Sequence, residues 1–241
     1  MRVQIPLWAP TGNVKSAYMN LFCLDGIPAI HTEPDEVPGM YMVLGRVADH
    51  TEELAPEERA LIRDSNPSRQ NGFATGRRLA KAALTHLGIS LQPILRSERK
   101  PVWPEFVVGS ISHTDHLAVS AVARAMHYQG IGVDVEVISA VDERVANRVL
   151  DEDERGWIDA LQLPEWRTAL FSAKEAIYKA TNPITGEFLG FRDVTLRIDE
   201  NAQSFTAYTL KDLKASSLLE RARGYFHRIE GHWLTTFVIE A

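Results

Sequence analysis

Residues 130–137 read GIGVDVEV. Side chains alternate faces along a β-strand, so Val133, Val135 and Val137 share one face and Gly132, Asp134 and Glu136 share the other. The valine face reads as core. Two steps of strand rise put the two carboxylates about 7 Å apart on one face, where they repel unless something positive lies between them. A solvated polar face accounts for the alternation. The bare flanking glycines suggest more, because glycine in a strand often marks close approach by a ligand or another backbone. Hard oxygen ligands beside a glycine-lined opening suit Mg²⁺, which takes one or two carboxylates and fills its shell with phosphate and water.

On either side of this strand the chain follows one plan twice. Before it come a strand at 41–47, an acidic helix opening at 55–65 (APEERALIRDS), a helix at 71–88 (NGFATGRRLAKAALTHLG), a turn-rich piece at 96–105, and the strands FVVGSIS and LAVSAVA. After it come a second acidic opening at 149–161, a helix at 168–181 (TALFSAKEAIYKAT), and strand candidates FRDVTLRI, QSFTAYTL and GHWLTTFVIE. Phe73, Leu79, Ala80, Ala83, Leu84 and Leu87 recur at helical spacing in the first helix. Leu170, Phe171, Ala173, Ala176, Ile177 and Ala180 do so in the second. FATGRRLAKAAL and LFSAKEAIYKA each follow an acidic helical segment by about twenty residues, a repeat signal. The repeat fits a pseudo-symmetric α/β (α+β) protein of two halves, 1–124 and 125–241. Residues 31–40, rich in Pro and acid, read as a loop.

Bulk composition narrows the partners. The chain has 241 residues, 45% hydrophobic, with a formal net charge of -6. That balance does not favour binding a nucleic-acid backbone, which wants concentrated positive surface. The single cysteine, Cys23, cannot form an internal disulfide and sits in an apolar run, so packing in a reducing compartment is expected. No secretory signal and no run of 18 apolar residues are seen. The expectation is therefore a cytoplasmic protein with no membrane partner.

Other chemistry-bearing residues are open to two readings each. Glu175 and Lys179 lie four apart on one helix face. They are an ordinary surface pair, or a third carboxylate beside Asp134 and Glu136 with a lysine facing a negative substrate. Ser112 and His113 fall in GSISHT, ahead of a strand. His113 is a base, a phosphate ligand or a structural histidine. Lys100, held extended by Pro101, reaches a phosphate or solvent. Of Arg77 and Arg78, one suits a phosphate and the other a snorkelling role. No G-x-S-x-G elbow appears, so a hydrolase triad is not expected.

The ordered blocks GFATGRRLAKAAL, RKPVWP, GSISHT, IGVDVE and FSAKEAIYKA resemble the 4'-phosphopantetheinyl transferases, large monomeric type, and within them the enterobactin synthetase component D branch. They span residues 72–181. The resemblance implies transfer of the phosphopantetheine arm of coenzyme A to a serine of an apo acyl or peptidyl carrier protein, with release of 3',5'-ADP. It implies a monomeric pseudodimer of two α/β halves with the active site between them, serving nonribosomal peptide, polyketide or siderophore synthesis. It also implies Mg²⁺ on Asp134, Glu136 and Glu175, with Glu175 as acceptor of the serine proton. Lys179 would then face the leaving pyrophosphate oxygen, and Arg77, Lys100, Ser112 and His113 would hold the nucleotide phosphates. The three acids alone also fit a Mg²⁺-dependent phosphoesterase or nuclease, whereas a non-catalytic module binding coenzyme A or a carrier would need a defect in the acid set, and none is visible.

Overall fold

The computed structural model describes residues 19–24, 39–98 and 100–241. Most of the loop expected at 31–40 lies outside them, as do residues 1–18. Two sheets carry the chain. The first has four strands in the order β1-β2-β6-β5, formed by β1 (Met19–Cys23), β2 (Met40–Arg46), β5 (Val107–His113) and β6 (Leu117–Arg124). The second has five strands in the order β7-β11-β10-β9-β8, namely β7 (Tyr128–Val137), β8 (Val194–Asp199), β9 (Ser204–Thr209), β10 (Ala222–Ile229) and β11 (His232–Glu240). A two-residue ribbon, β3 (Arg96–Ser97) with β4 (Lys100–Pro101), occupies the turn-rich piece. The helices are α1 (Pro56–Ala60), α2 (Pro67–His86), α3 (Glu143–Val149), α4 (Glu152–Leu161), α5 (Trp166–Thr185) and α6 (Ser216–Leu219).

Period-two patterning makes the layers. In β2, Met42 and Leu44 face one way and Val43 the other; in β6, Val119 and Ala121 oppose Ala118 and Val122. The second set packs under α2 with Leu79, Ala80, Ala83 and Leu84. The first set meets Ile131, Val133 and Val135 of β7 and Leu234 and Val238 of β11, so the two sheets share a core between them. Beyond the second sheet, α5 covers Phe226, Trp233 and Phe237 with Leu170, Ala173, Ala176 and Ile177. The order is helix, sheet, sheet, helix. Cys23 is partly buried against the shared core, as packing predicts.

Two helices begin earlier than periodicity suggests. Asn66 caps α2 by accepting from the Arg69 N–H at 2.9 Å, and Pro67 takes the first turn, where its missing N–H costs nothing. Gly88 follows the helix end with φ of +73°, the left-handed position that glycine tolerates. In α5 the helix runs from Trp166 and ends at Gly186, φ +65°. Helix α3 and strand β10 were not read from the sequence. α3 is a seven-residue helix announced by its cap Asp142, and β10 alternates apolar residues with arginine and histidine rather than with a plain polar face.

The opening strand corrects one expectation. Val133 and Val135 do enter the core, but the opposite face at Gly132 is closed by α5, and of the two glycines only Gly130 lines a cavity. A Cβ on Gly132 would collide with the Ala176 carbonyl of α5, and one on Gly130 with the Ala180 carbonyl. Both glycines admit the helix backbone. Asp134 is accordingly only 2% exposed.

Candidate active site

β5 and β7 are each the end strand of a sheet, and their free edges meet. No backbone ladder joins them. Ser110 Oγ accepts from the Val133 N–H at 3.1 Å, and Lys179 Nζ donates to the Val133 carbonyl at 3.2 Å. Side chains thus satisfy backbone groups that an unpaired edge would leave open. Asp134, Glu136, Glu175, Lys179 and Ser112 gather at this junction.

Lys179 Nζ lies 2.7 Å from Asp134 Oδ1 and 3.0 Å from Ser112 Oγ, and the Ser112 hydroxyl donates to the same Oδ1 at 2.9 Å. Asp134 Oδ2 is buried with no protein partner. Glu136 and Glu175 are half-buried nearby. Burial, then the neighbouring Asp134, pushes Glu136 up to about 7, against the pull of Lys179. Burial raises Glu175 as well, again opposed by Lys179 and assisted by Asp134. The structure therefore brings Asp134, Glu136, Glu175, Lys179 and Ser112 into one electrostatic group.

Lys179 is paired with Asp134 and at the same time lines the same cavity as Gly130. Among the described residues, no three His, Cys, Asp or Glu side chains are arranged as they stand to enclose a metal ion. The donor chemistry still suits a hard divalent cation. An orphaned carboxylate oxygen and two carboxyls held toward neutrality by crowding and burial are the groups such a charge would stabilise.

His113 follows Ser112 at the end of β5. Its ring lies against α2 where Gly72 leaves no side chain. Withdrawal from water lowers its pKa, the Thr114 carbonyl opposes this, and Lys179 and Arg69 add to the lowering. Arg69, one turn into α2, is thus a neighbour of the site that motif spacing did not single out. Lys100 and Glu175 line a cavity of about 680 Å³ together with Lys179, Trp103, Tyr178 and Phe188. Arg77 does not line it. The Arg77 guanidinium is buried, donates to the Ile94 carbonyl at 2.7 Å and the Leu95 carbonyl at 3.4 Å, and stacks 4.3 Å over Phe73. Burial lowers its pKa to about 10.

Residues 57–123 match the 4'-phosphopantetheinyl transferase N-terminal domain and residues 130–236 the 4'-phosphopantetheinyl transferase superfamily. Over 154 residues the chain is 38% identical to the 4'-phosphopantetheinyl transferase Npt of Nocardia iowensis, across 61% of this chain and 68% of that protein. The chain belongs to the 4'-phosphopantetheinyl transferase superfamily. It is also 40% identical over 162 residues to the 4'-phosphopantetheinyl transferase Svp of Streptomyces mobaraensis, across 65% of this chain and 66% of the relative. Enterobactin synthase component D of Salmonella typhi is 35% identical over 123 residues, across 49% of this chain and 51% of the relative. The alignments thus span about two thirds of the first two relatives and about half of the third.

Sequence reasoning missed Ser110. The signal was present, since Ser110 and Ser112 are two apart in one strand and share a face. It also missed Tyr178 and Phe188, whose aromatic pairing across 5.9 Å at the cavity is a product of packing alone.

Proposed function

We propose that this chain transfers the phosphopantetheine arm of coenzyme A to the serine hydroxyl of an apo carrier protein and releases 3',5'-ADP. The observation that carries the reading is the group Asp134, Glu136, Glu175, Lys179 and Ser112 at the β5–β7 junction, opening through Glu175 and Lys179 into the cavity. Family membership supplies the reaction class. We extend the proposal to the two halves, 1–124 and 125–241, as a pseudodimer, on the grouping of the strands into one sheet from each.

Asp134, Glu136 and Glu175 would hold Mg²⁺, whose charge would neutralise the pyrophosphate oxygens of coenzyme A. The rest is done by the chain. Glu175, whose carboxylate burial makes more basic than an exposed one, is the group placed to accept the serine proton, directly or through water. The serine oxygen then bonds to the phosphorus carrying the pantetheine arm, and the P–O bond to 3',5'-ADP breaks. Lys179 leaves Asp134 for the oxygen that gains charge. Lys100, Ser112 and His113 hold phosphate oxygens, and the apolar cavity wall receives the arm. Arg77, buried and off the cavity wall, supports the fold behind them rather than the phosphates themselves.

Among the described residues no helix is long and apolar enough to cross a membrane. A cytoplasmic monomer acting on carriers of nonribosomal peptide, polyketide or siderophore synthesis is the setting we propose. The likeness to enterobactin synthase component D of Salmonella typhi supports the siderophore branch.

The test is direct. Apo carrier proteins are incubated with coenzyme A and Mg²⁺ and weighed by mass spectrometry. A gain of one phosphopantetheine arm is expected with wild type and none with a folded Asp134→Asn variant. No gain on any of several carriers would sink the reading, and cleavage of coenzyme A without carrier modification would favour a phosphoesterase.

A further inference from the structure

Glu154 is buried at the third position of α4. Its Oε2 accepts from the Asp151 N–H at 3.0 Å and from Lys174 Nζ at 2.7 Å, and its Oε1 accepts from the Leu196 N–H at 3.2 Å. Lys174 Nζ also donates to the carbonyls of Val149 at 3.1 Å and Phe191 at 2.9 Å. The ammonium group has three donors, and all are used. One buried node therefore ties the end of α3, the start of α4, the middle of α5 and the entry to β8. Lys174 and Phe191 line the cavity, and the residue after Lys174 is Glu175.

The first half contains the same construction. Glu58, buried at the third position of α1, accepts from the Ala55 N–H at 2.9 Å and from Lys81 Nζ at 2.6 Å. Its Oε1 accepts from the Ile94 N–H at 2.8 Å. Arg77 donates to the Ile94 carbonyl across 17 residues of chain, the separation of the Lys174–Phe191 bond. The halves then diverge. After Arg77 comes Arg78, which faces Glu53 at 3.5 Å. Only the second node adjoins a carboxylate at the β5–β7 junction.

A buried ion pair is weak evidence of net stability, since well-packed apolar residues of similar volume often do as well. It does impose direction, because every donor must meet its acceptor. We propose that the Glu154–Lys174 pair positions Glu175: it holds the rotation and height of α5 so that Glu175 and, one turn later, Lys179 meet Asp134. Lys174 touches no reacting atom in this scheme and is a positioning residue. The inference rests on the transferase reading.

The test compares Glu154→Gln, Lys174→Met and the apolar double variant Glu154→Leu/Lys174→Met with the first-half control Lys81→Met. Transfer to an apo carrier, urea midpoints, and Mn²⁺ binding by electron paramagnetic resonance are measured on each. Because displacement of a catalytic group by about 1 Å costs on the order of 100-fold, kcat should fall at least ~30-fold in the node variants with KM for coenzyme A within about threefold. Mn²⁺ binding should weaken with it. Lys81→Met should lose comparable stability and keep its kcat. Node variants that retain kcat, or a loss matched by Lys81→Met, overturn the proposal. So does failure of every node variant to fold while the control folds, which would make the node a stability element alone. A wild type that modifies no carrier sinks the transferase reading instead, and Mn²⁺ binding then still decides whether the node orders Glu175; no Mn²⁺ binding by wild type overturns both.

Discussion

Glu136 shows how a side chain legible in sequence acquires its property from packing. The alternation in GIGVDVEV places it beside Asp134. Its pKa of about 7 comes first from burial and then from Asp134, and neither magnitude is written in the motif. The sign of the consequence follows. Between the ordinary carboxylate value of 4.5 and about 7 the folded state holds a proton that the unfolded state has released. Stability therefore falls as pH rises through that window. With a chelator present, Glu136→Gln should raise stability at pH 8 by about 2 kcal/mol, the ~1.4 kcal/mol per pH unit of that window reduced because the group is only half-buried, and leave it unchanged near pH 4. Urea midpoints at the two pH values decide the matter; equal midpoints at pH 8 would show that Glu136 is ionised at little cost. Transfer should be lost in the same variant. Arg77 is the opposite case. Its motif position suggested a phosphate, whereas the fold buries its guanidinium against the Ile94 and Leu95 carbonyls.

The pairing of β7 with α5 was half legible. Helical spacing in TALFSAKEAIYKAT and alternation in GIGVDVEV each identify an element and its apolar face. Neither says that the face bearing the acids is the one the helix covers. Gly130 and Gly132 carry that information only once the helix is in place, where any side chain would strike its backbone. Gly132→Ala should be destabilising by roughly 3 kcal/mol or somewhat more, the upper range for overpacking, because backbone rather than a flexible side chain must yield. Gly156, inside α4 with open space around it, is the control. Gly156→Ala should stabilise by about 0.5–1 kcal/mol, the ordinary helix preference for alanine. Chemical denaturation reads both. A Gly132→Ala protein as stable as wild type would mean that α5 sits farther from β7 than described.

The shared core between the sheets makes the two halves interdependent. Met42, Leu44, Val119 and Ala121 from one sheet and Val133, Val135, Leu234 and Val238 from the other bury one another. Separated at residue 124, each part would expose its inner sheet face as a broad apolar patch. The intact chain should therefore unfold in a single cooperative transition, and neither part alone should show native-like circular dichroism with a sharp melting curve. Two independent transitions, or one part folding by itself, would contradict the layering.

Local order was available from residue pattern alone. Two faces on β7, helical stripes on α2 and α5, an acidic helix opening before each, and a set of acids, lysines and serines in motif order all reside in near neighbours along the chain. Periodicities of 2 and 3.6 report them without reference to anything distant. The junction of β5 with β7, the Lys179–Asp134 pair, the burial that raises Glu136 and Glu175, and the Glu154–Lys174 node link residues 20 to 67 positions apart. Such contacts exist only after two sheets pack face to face and two edges meet. Sequence spacing carries no trace of the angle at which that happens.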